Sequence, residues 1–398
     1  MNTCGRAIVA GHICLDIIPQ FDPQARFEAG SLFKPGSLTR VGPVIISTGG
    51  AVSNTGLILH RLGVPTLLVA KIGSDVFGQA IRRIVSEFEA DLDRGIISDP
   101  GEATSYSVII NPPGIDRKFF HCPGANDSFD SRDIAFDRLT EGDLLHFGYP
   151  PVMRRIFANH GEELEKIFRL AKQTDITTSL DLCMPEETAE SEKTDWLHLL
   201  SRTLPFVDIF LPSLDELLFM LDRKGFEQLQ QAGGLQDYIK REPAAELISQ
   251  LGHSLLEMGA KIVLIKLGDC GAYLCSAGVE SIVDLGRARP PDYSSWANQE
   301  LWAPCFRVAV VGTTGAGDST IAGFLSALLR GLSPVEALTA AVAVGACSVE
   351  GPDALSGVPG WEAVQSRIQS GWDRATLCPA PAGWVWSGED HLWTRMAH

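Results

Sequence analysis

Short apolar runs alternate with amphipathic stretches along most of the chain. The runs at 7–18, 44–48, 66–72, 144–147, 178–182, 209–211 and 262–267 have the length and β-branched content of strands. Several are apolar at successive positions, the pattern of parallel strands covered on both faces. Between them, 51–62 follows a Gly-Gly turn, and 74–90 spaces Val76, Phe77, Ile81, Ile84, Val85 and Phe88 as one face of a helix. Another helical pattern runs over 162–172. Repeated strand–helix alternation predicts an α/β fold, a three-layer α/β/α sandwich around a mostly parallel central sheet.

Two segments break the rhythm. Residues 103–120 hold the β-rich stretch 105–110 and Phe119-Phe120 on either side of a Pro-Pro-Gly turn, which predicts a hairpin. Residues 38–47 read as a further antiparallel piece. Together they predict a small β flap beside the main sheet, drawn from about 14–47 and 103–124. Residues 222–246 and 287–304 read as insertions. The expected organisation is one domain over 1–375 that includes the flap, then a C-terminal tail, 376–398, carrying Trp384, Trp386 and Trp393.

Composition narrows the function classes. With 45% hydrophobic and 21% charged residues among 398, the chain can bury a large core and is not of disordered type. A formal net charge of −16 argues against nucleic acid or an anionic membrane as partner. It leaves room for an anionic ligand bound by backbone N–H groups at a helix start. Nine scattered cysteines without a C-x-x-C pair indicate neither a zinc site nor a disulfide framework. The first eighteen residues lack the order of a signal peptide, and the longest small apolar run, 340–349, is too short to span a bilayer. The expected location is cytoplasmic.

The most informative segment is 306–331. Residues 308–311 predict a buried strand, 312–317 a Gly-rich turn, and 318–330 a helix with Ile321, Phe324, Leu325 and Leu328 on one face. Such a turn at a helix start presents free N–H groups to an anion. Gly312 and Gly317 have P-loop spacing, but Asp318 stands where the P-loop lysine belongs and would repel phosphate. The segment also lacks the third glycine of a dinucleotide fingerprint, which disfavours a nicotinamide-dependent oxidoreductase. Two readings of Asp318 remain: a helix cap, or a base that takes the proton of an acceptor hydroxyl while nearby N–H groups hold a phosphoryl group.

Thr313-Thr314-Gly315-Ala316-Gly317-Asp318-Ser319, followed by Ala322-Gly323-Phe324, resembles the C-terminal signature of the PfkB, or ribokinase-like, carbohydrate kinases. Gly49-Gly50-Ala51-Val52-Ser53-Asn54 through Leu62-Gly63 is similar to the family's N-terminal signature. Echoes follow at 71–78, at Pro123-Gly124-Ala125-Asn126 and at Lys266-Leu267-Gly268-x-x-Gly271, so the resemblance runs from about 7 to 368. It implies a ribokinase-like fold with a β lid and transfer of the γ-phosphoryl of ATP, with Mg²⁺, to a hydroxymethyl group of a sugar or sugar-like molecule. Asp318 would be the base, and Gly315, Ala316 and Gly317 the anion hole. Asp16, Gly49, Gly50 and Asn54 would hold the acceptor, and Lys266, Gly268 and Gly271 would approach the nucleotide. Read without the resemblance, these are a strand-end Asp, a helix-start turn, a packed Asn, a strand end and a hairpin.

Three departures stand out. The family usually carries an Asp at the Gly312 position, where it helps hold an activating monovalent cation. Its N-x-x-E motif, which organises Mg²⁺, appears as Ser213-Leu214-Asp215-Glu216, so Glu216 is either the metal-side carboxylate or a helix-start residue. The strand at 144–147 is followed by Gly148 and Tyr149 rather than the acid of some ribose-specific members, which disfavours ribose. The alternatives are a nucleoside kinase of the same fold and a catalytically silent regulatory relative. The lid strand at 105–110 would pair with a second subunit to form a homodimer, or remain solvated.

Overall fold

The computed structural model describes residues 4–27, 34–114, 117–185, 190–375 and 383–395. The strands among these are β1 (Ala7–Gly11), β2 (Cys14–Pro19), β3 (Val44–Gly49), β4 (Thr66–Gly73), β5 (Ile96–Asp99), β6 (Tyr106–Ile110), β7 (Lys118–Cys122), β8 (Leu144–Gly148), β9 (Thr177–Leu180), β10 (Ile209–Phe210), β11 (Ile262–Lys266), β12 (Ala272–Ser276), β13 (Glu300–Ala303), β14 (Trp384–Ser387) and β15 (Leu392–Arg395). Among the described residues they form an eleven-stranded sheet, in the order β14-β15-β13-β12-β11-β10-β9-β8-β1-β4-β5, and a four-stranded sheet, β3-β2-β6-β7. From β5 through β4, β1, β8, β9 and β10 to β11 every pairing is parallel; beyond β11 every pairing is antiparallel.

Strand alternation explains the three layers. In β1, Ala7 and Val9 face one core while Ile8 and Ala10 face the other; in β11, Ile262 and Leu264 divide from Val263 and Ile265 in the same way. Successive side chains point to opposite faces, so an apolar run needs cover on both. Helices Ala51–Arg61, Val76–Ser86, Ala316–Leu329 and Pro334–Val349 cover the first face. Helices Arg154–Lys172, Trp196–Thr203, Leu214–Leu221 and Glu242–Glu257 cover the second.

The run at 7–18 is two strands, not one. β1 ends at Gly11, whose φ of 122° turns the chain out of the main sheet, and β2 continues in the small sheet. Asn126 ties the crossing: its Oδ1 accepts from Ile13 N at 3.2 Å and its Nδ2 donates to Ile13 O at 2.9 Å. In the small sheet β2 pairs antiparallel with β3 and parallel with β6, and β6 and β7 form the expected hairpin. Of 38–47 only the last part is strand.

The buried strand expected at 308–311 does not form. Val310 and Val311 are each 64% exposed. Phe306 bridges Arg374, Arg307 N donates to Asp373 O at 2.8 Å, and Val311 N donates to Val349 O at 2.7 Å. The segment is an extended strap held by single contacts, with Phe306 stacked on Trp372 at 4.3 Å. The stretch 287–304 supplies β13, with Trp296 and Trp302 fully buried. The tail hairpin β14–β15 joins the main sheet through β13, and Trp384 packs against Tyr273 and Trp302 with ring centroids 6.0 Å apart in each case.

Candidate active site

Ligands of parallel α/β sheets sit beyond the carboxyl ends of the strands. The ends of β1, β8, β9 and β11 are followed or closed by His12, Tyr149, Asp181 and Lys266, and the small sheet rises beside them. Asp318 lies in the first turn of helix Ala316–Leu329, behind Gly315, whose φ of 73° is left-handed. It is 3% exposed. Asn54 Nδ2 donates to its Oδ2 at 3.0 Å and Thr55 Oγ1 to its Oδ1 at 3.3 Å. The Tyr149 hydroxyl lies 3.0 Å from Oδ1 and 2.8 Å from Oδ2. Burial pushes the Asp318 carboxyl up; the bond from Asn54, the charge of Lys266, and the bonds from Tyr149 and Thr55 hold it back.

Lys266 Nζ pairs with Asp181 Oδ1 at 2.6 Å, both largely buried. Burial opposes the ammonium charge, but Asp181, Glu216 and Asp318 together outweigh it and raise the pKa, so Lys266 keeps its proton. A Cβ on Gly317 would lie 3.8 Å from Lys266 Nζ. The lysine therefore flanks the helix start, where the N–H groups of the first turn have no partner four residues back. Ala316 N reaches back to Thr313 O at 3.4 Å. From the lid, Arg117 Nη1 donates to Thr314 Oγ1 in the Gly-rich turn.

Asp16 lies on β2 and is buried, which excludes the reading of it as a surface strand end. Its carboxyl is pushed up to about 6 by burial, against hydrogen bonds from Cys14 and Ser107. A Cβ on Gly49 would collide with the Asp16 carboxylate, and one on Gly50 (φ 87°) with the His12 ring and backbone. These two positions require glycine for space. His12 Nε2 lies 3.4 Å from His121 Nε2, and the His12 ring is 6.1 Å from that of Tyr149. Burial, then the neighbouring His121, holds His12 well below the usual imidazole range; burial lowers His121 to about 4. Both rings are neutral at pH 7. His12 Nδ1 and Asn54 Oδ1 are buried without a hydrogen-bond partner.

Glu216 forms a capping box with Ser213: its Oε2 accepts from Ser213 N at 2.7 Å. It is also buried and acts on the charge of Lys266, so it is a helix-start residue that faces the Asp318 group. Among the described residues no three His, Cys, Asp or Glu side chains converge as a metal cluster. Gly268 and Gly271, with φ of 57° and 95°, shape the turn from β11 into β12. Among the described residues neither bonds to Asp318.

The structure thus gathers Asp318, Asn54, Gly315–Gly317, Lys266 and Glu216 at one end, and Asp16, Gly49 and Gly50 on strands β2 and β3 of the lid and the turn after them. Sequence reasoning missed Thr55, Tyr149, Asp181, His12, His121 and Arg117. Asp181 carried the signal used for Asp16, an acid closing an apolar strand. Tyr149 was noticed only for the acid it lacks.

The profile of the pfkB family carbohydrate kinases matches residues 14–360. The chain belongs to this family. It is a PfkB carbohydrate kinase, and its relatives bear that out. It is 27% identical over 306 residues to a sugar kinase of Archaeoglobus fulgidus, covering 76% of this chain and 98% of that one. To the 2-dehydro-3-deoxygluconokinase of Bacillus subtilis it is 24% identical over 359 residues, with 89% and 96% covered. To a probable chloroplastic fructokinase of Arabidopsis thaliana it is 25% identical over 332 residues, with 80% and 74% covered. Its fold is that of Arabidopsis thaliana ribokinase complexed with ribose and ATP, at a TM-score of 0.65 and 20% identity over 92% of this chain and 99% of that one. Xylella fastidiosa fructokinase with bound ATP gives 0.64 at 19% identity, with 92% and 98% covered. In this PfkB kinase no helix among the described residues is long and apolar enough to cross a membrane.

Proposed function

We propose that this kinase transfers the γ-phosphoryl group of ATP to a hydroxymethyl group of an uncharged sugar, with Asp318 as general base. The observation that carries the reading is a buried carboxylate in the first turn behind a Gly-rich loop, with the charged Lys266 beside Gly317. Asp318 accepts the proton of the acceptor hydroxyl as that oxygen bonds to the γ-phosphorus and the bond to the ADP oxygen breaks. The N–H groups of the Gly315–Gly317 turn and the Lys266 ammonium offset the charge on the equatorial oxygens. Arg117 approaches the same turn from the lid, which excludes water as a competing acceptor. Gly268 and Gly271 let the backbone after Lys266 come close to the nucleotide.

The donor set fits Mg²⁺ that arrives with the nucleotide, since such ions keep several waters and need only one or two carboxylates. Glu216, buried and acting on the charge of Lys266, is the carboxylate that would hold it, and the ion would supply charge neutralisation to the phosphates.

The acceptor end favours hydroxyl groups over a carboxylate. Asp16 and Asn54 can each bind hydroxyls, Gly49 and Gly50 leave room, and His12 and His121 are neutral. No lysine or arginine enters the electrostatics of Asp16 or His12 among the described residues. A sugar acid would meet Asp16 without a counter-charge. Strand β6 is flanked by β2 and β7, so the expected pairing through 105–110 has no free edge there; the exposed apolar Val44, Ile45 and Ile46 on the edge strand β3 instead support pairing of two lids in a homodimer. Eight free cysteines among the described residues suit the reducing cytoplasm.

An ADP-release screen over neutral sugars, polyols, sugar acids and nucleosides tests the reading. Turnover with a neutral ketose or aldose is expected. Preference for sugar acids overturns the acceptor class, preference for nucleosides makes this a nucleoside kinase, and silence with all of them marks a regulatory relative.

A further inference from the structure

Tyr149 belongs to neither signature, yet it makes the shortest contact with the base. An ionised carboxylate offers about four lone-pair directions. At Asp318 three donors face the two oxygens: Thr55 at Oδ1, Asn54 at Oδ2, and the single Tyr149 O–H shared between both. An acceptor hydroxyl is a fourth donor, and it finds its direction free only when the shared phenol proton settles on one oxygen. Asn54 and Thr55 are fixed on the buried start of helix Ala51–Arg61. The Tyr149 contact is spread over both oxygens, so it can release one and keep the other.

The backbone at Tyr149 supports an aimed side chain. Its φ of 67° and ψ of 44° are left-handed, which a residue with a Cβ adopts only when its surroundings enforce it. Gly148 before it leaves no room for a Cβ against Ala51, and Pro150-Pro151 follow. The loop is pinned to the same helix that carries Asn54. Burial and the adjacent Asp318 raise the phenol pKa, so the group acts as a donor.

We propose that Tyr149 is a positioning residue for the base: in the free enzyme its phenol stands where the acceptor hydroxyl will sit, and acceptor binding moves it onto a single oxygen of Asp318. The proposal rests on the reading of Asp318 as base. The phenol bond favours the ionised carboxylate, so it prepares the base before the acceptor arrives and aligns it afterwards.

The substitution Tyr149→Phe keeps the ring and removes the donor. The titratable groups facing the pair, Asp181, Cys183, Lys266, Glu216 and His12, all stay in place. The acid limb of the kcat/KM profile reports the free enzyme, and that of kcat the complex. In the variant the acid limb of kcat/KM should move to higher pH and that of kcat should move less. The value of kcat should fall about tenfold, as for loss of one hydrogen bond to a charged group, with KM for ATP and Tm close to wild type. A kcat/KM profile superimposable on wild type overturns the proposal. Asp318→Asn, run alongside, separates the two readings: near-normal turnover there removes the base and this proposal together, whereas a collapse there with an unchanged Tyr149→Phe profile removes this proposal alone.

Discussion

Asp16 and Asp318 are both buried carboxylates, and their surroundings treat them differently. Among the described residues Asp318 has three donors and a lysine charge nearby, whereas Asp16 has Cys14 and Ser107. For Asp318→Asn we expect a loss of about 10²-fold or more in kcat, the scale of general-base catalysis, with ATP affinity retained in a direct binding titration. For Asp16 the raised pKa becomes a stability statement. Its folded value of about 6 exceeds the ordinary aspartate value of 3.8, so the folded state binds the extra proton. Folding is free of this penalty below about pH 4 and loses stability as pH rises through about 6. An Asp16→Asn variant should therefore match wild type near pH 4 and be more stable above pH 6, by up to roughly 2–3 kcal/mol. The same variant should raise KM for the acceptor far more than for ATP. Stability that does not diverge between pH 4 and 7 would show Asp16 to be solvated.

The Gly-rich turn shows what a single side chain decides within an element. A Cβ on Gly312 would point at the carbonyls of Gly351 and Pro352, 3.1 Å and 3.4 Å away, with no carboxylate to join them. Potassium should thus stimulate activity weakly or not at all against a tetramethylammonium control. Gly312→Asp should introduce potassium dependence; a strong potassium effect in the wild type would mean that another ligand replaces the missing Asp. The same segment marks the limit of pattern reading. Val308, Val310 and Val311 have strand composition, but among the described residues the run joins neither sheet, so it becomes a strap with two exposed valines. Patterns did reveal the strands whose burial is two-sided, β4, β8, β9 and β11, and the helix that starts at Ala316. They missed the break after Gly11, because both halves of 7–18 are apolar and only pairing separates them. The motif residues Asp318, Asn54 and Lys266 were legible because chemistry needs them at fixed spacing. Tyr149 and the two histidines were not, because they reach the site through strand order, which a linear sequence does not display; Asp181 carried a signal, an acid closing an apolar strand, that went unused.

On the scale of the whole molecule, the tail completes the sheet. β15 covers β13, Trp384 lies on Tyr273 and Trp302, and Arg395 pairs with Glu246 and Glu300. A chain ending at residue 378 should lose thermal stability, read as a lower Tm, while its soluble fraction keeps the acceptor preference. An unchanged Tm would show that these contacts contribute little. The tail's position has a further consequence for biosynthesis. Translation proceeds from the N-terminus, so β13 emerges before the hairpin that covers it. Until residues 384–395 leave the ribosome, Leu301 and Trp302 lie on an open sheet edge, a template for pairing with another nascent chain. The hairpin is thus a seal applied after β13 has been made, and chains of this kinase that stall before it should be drawn into aggregates more readily than chains that carry it.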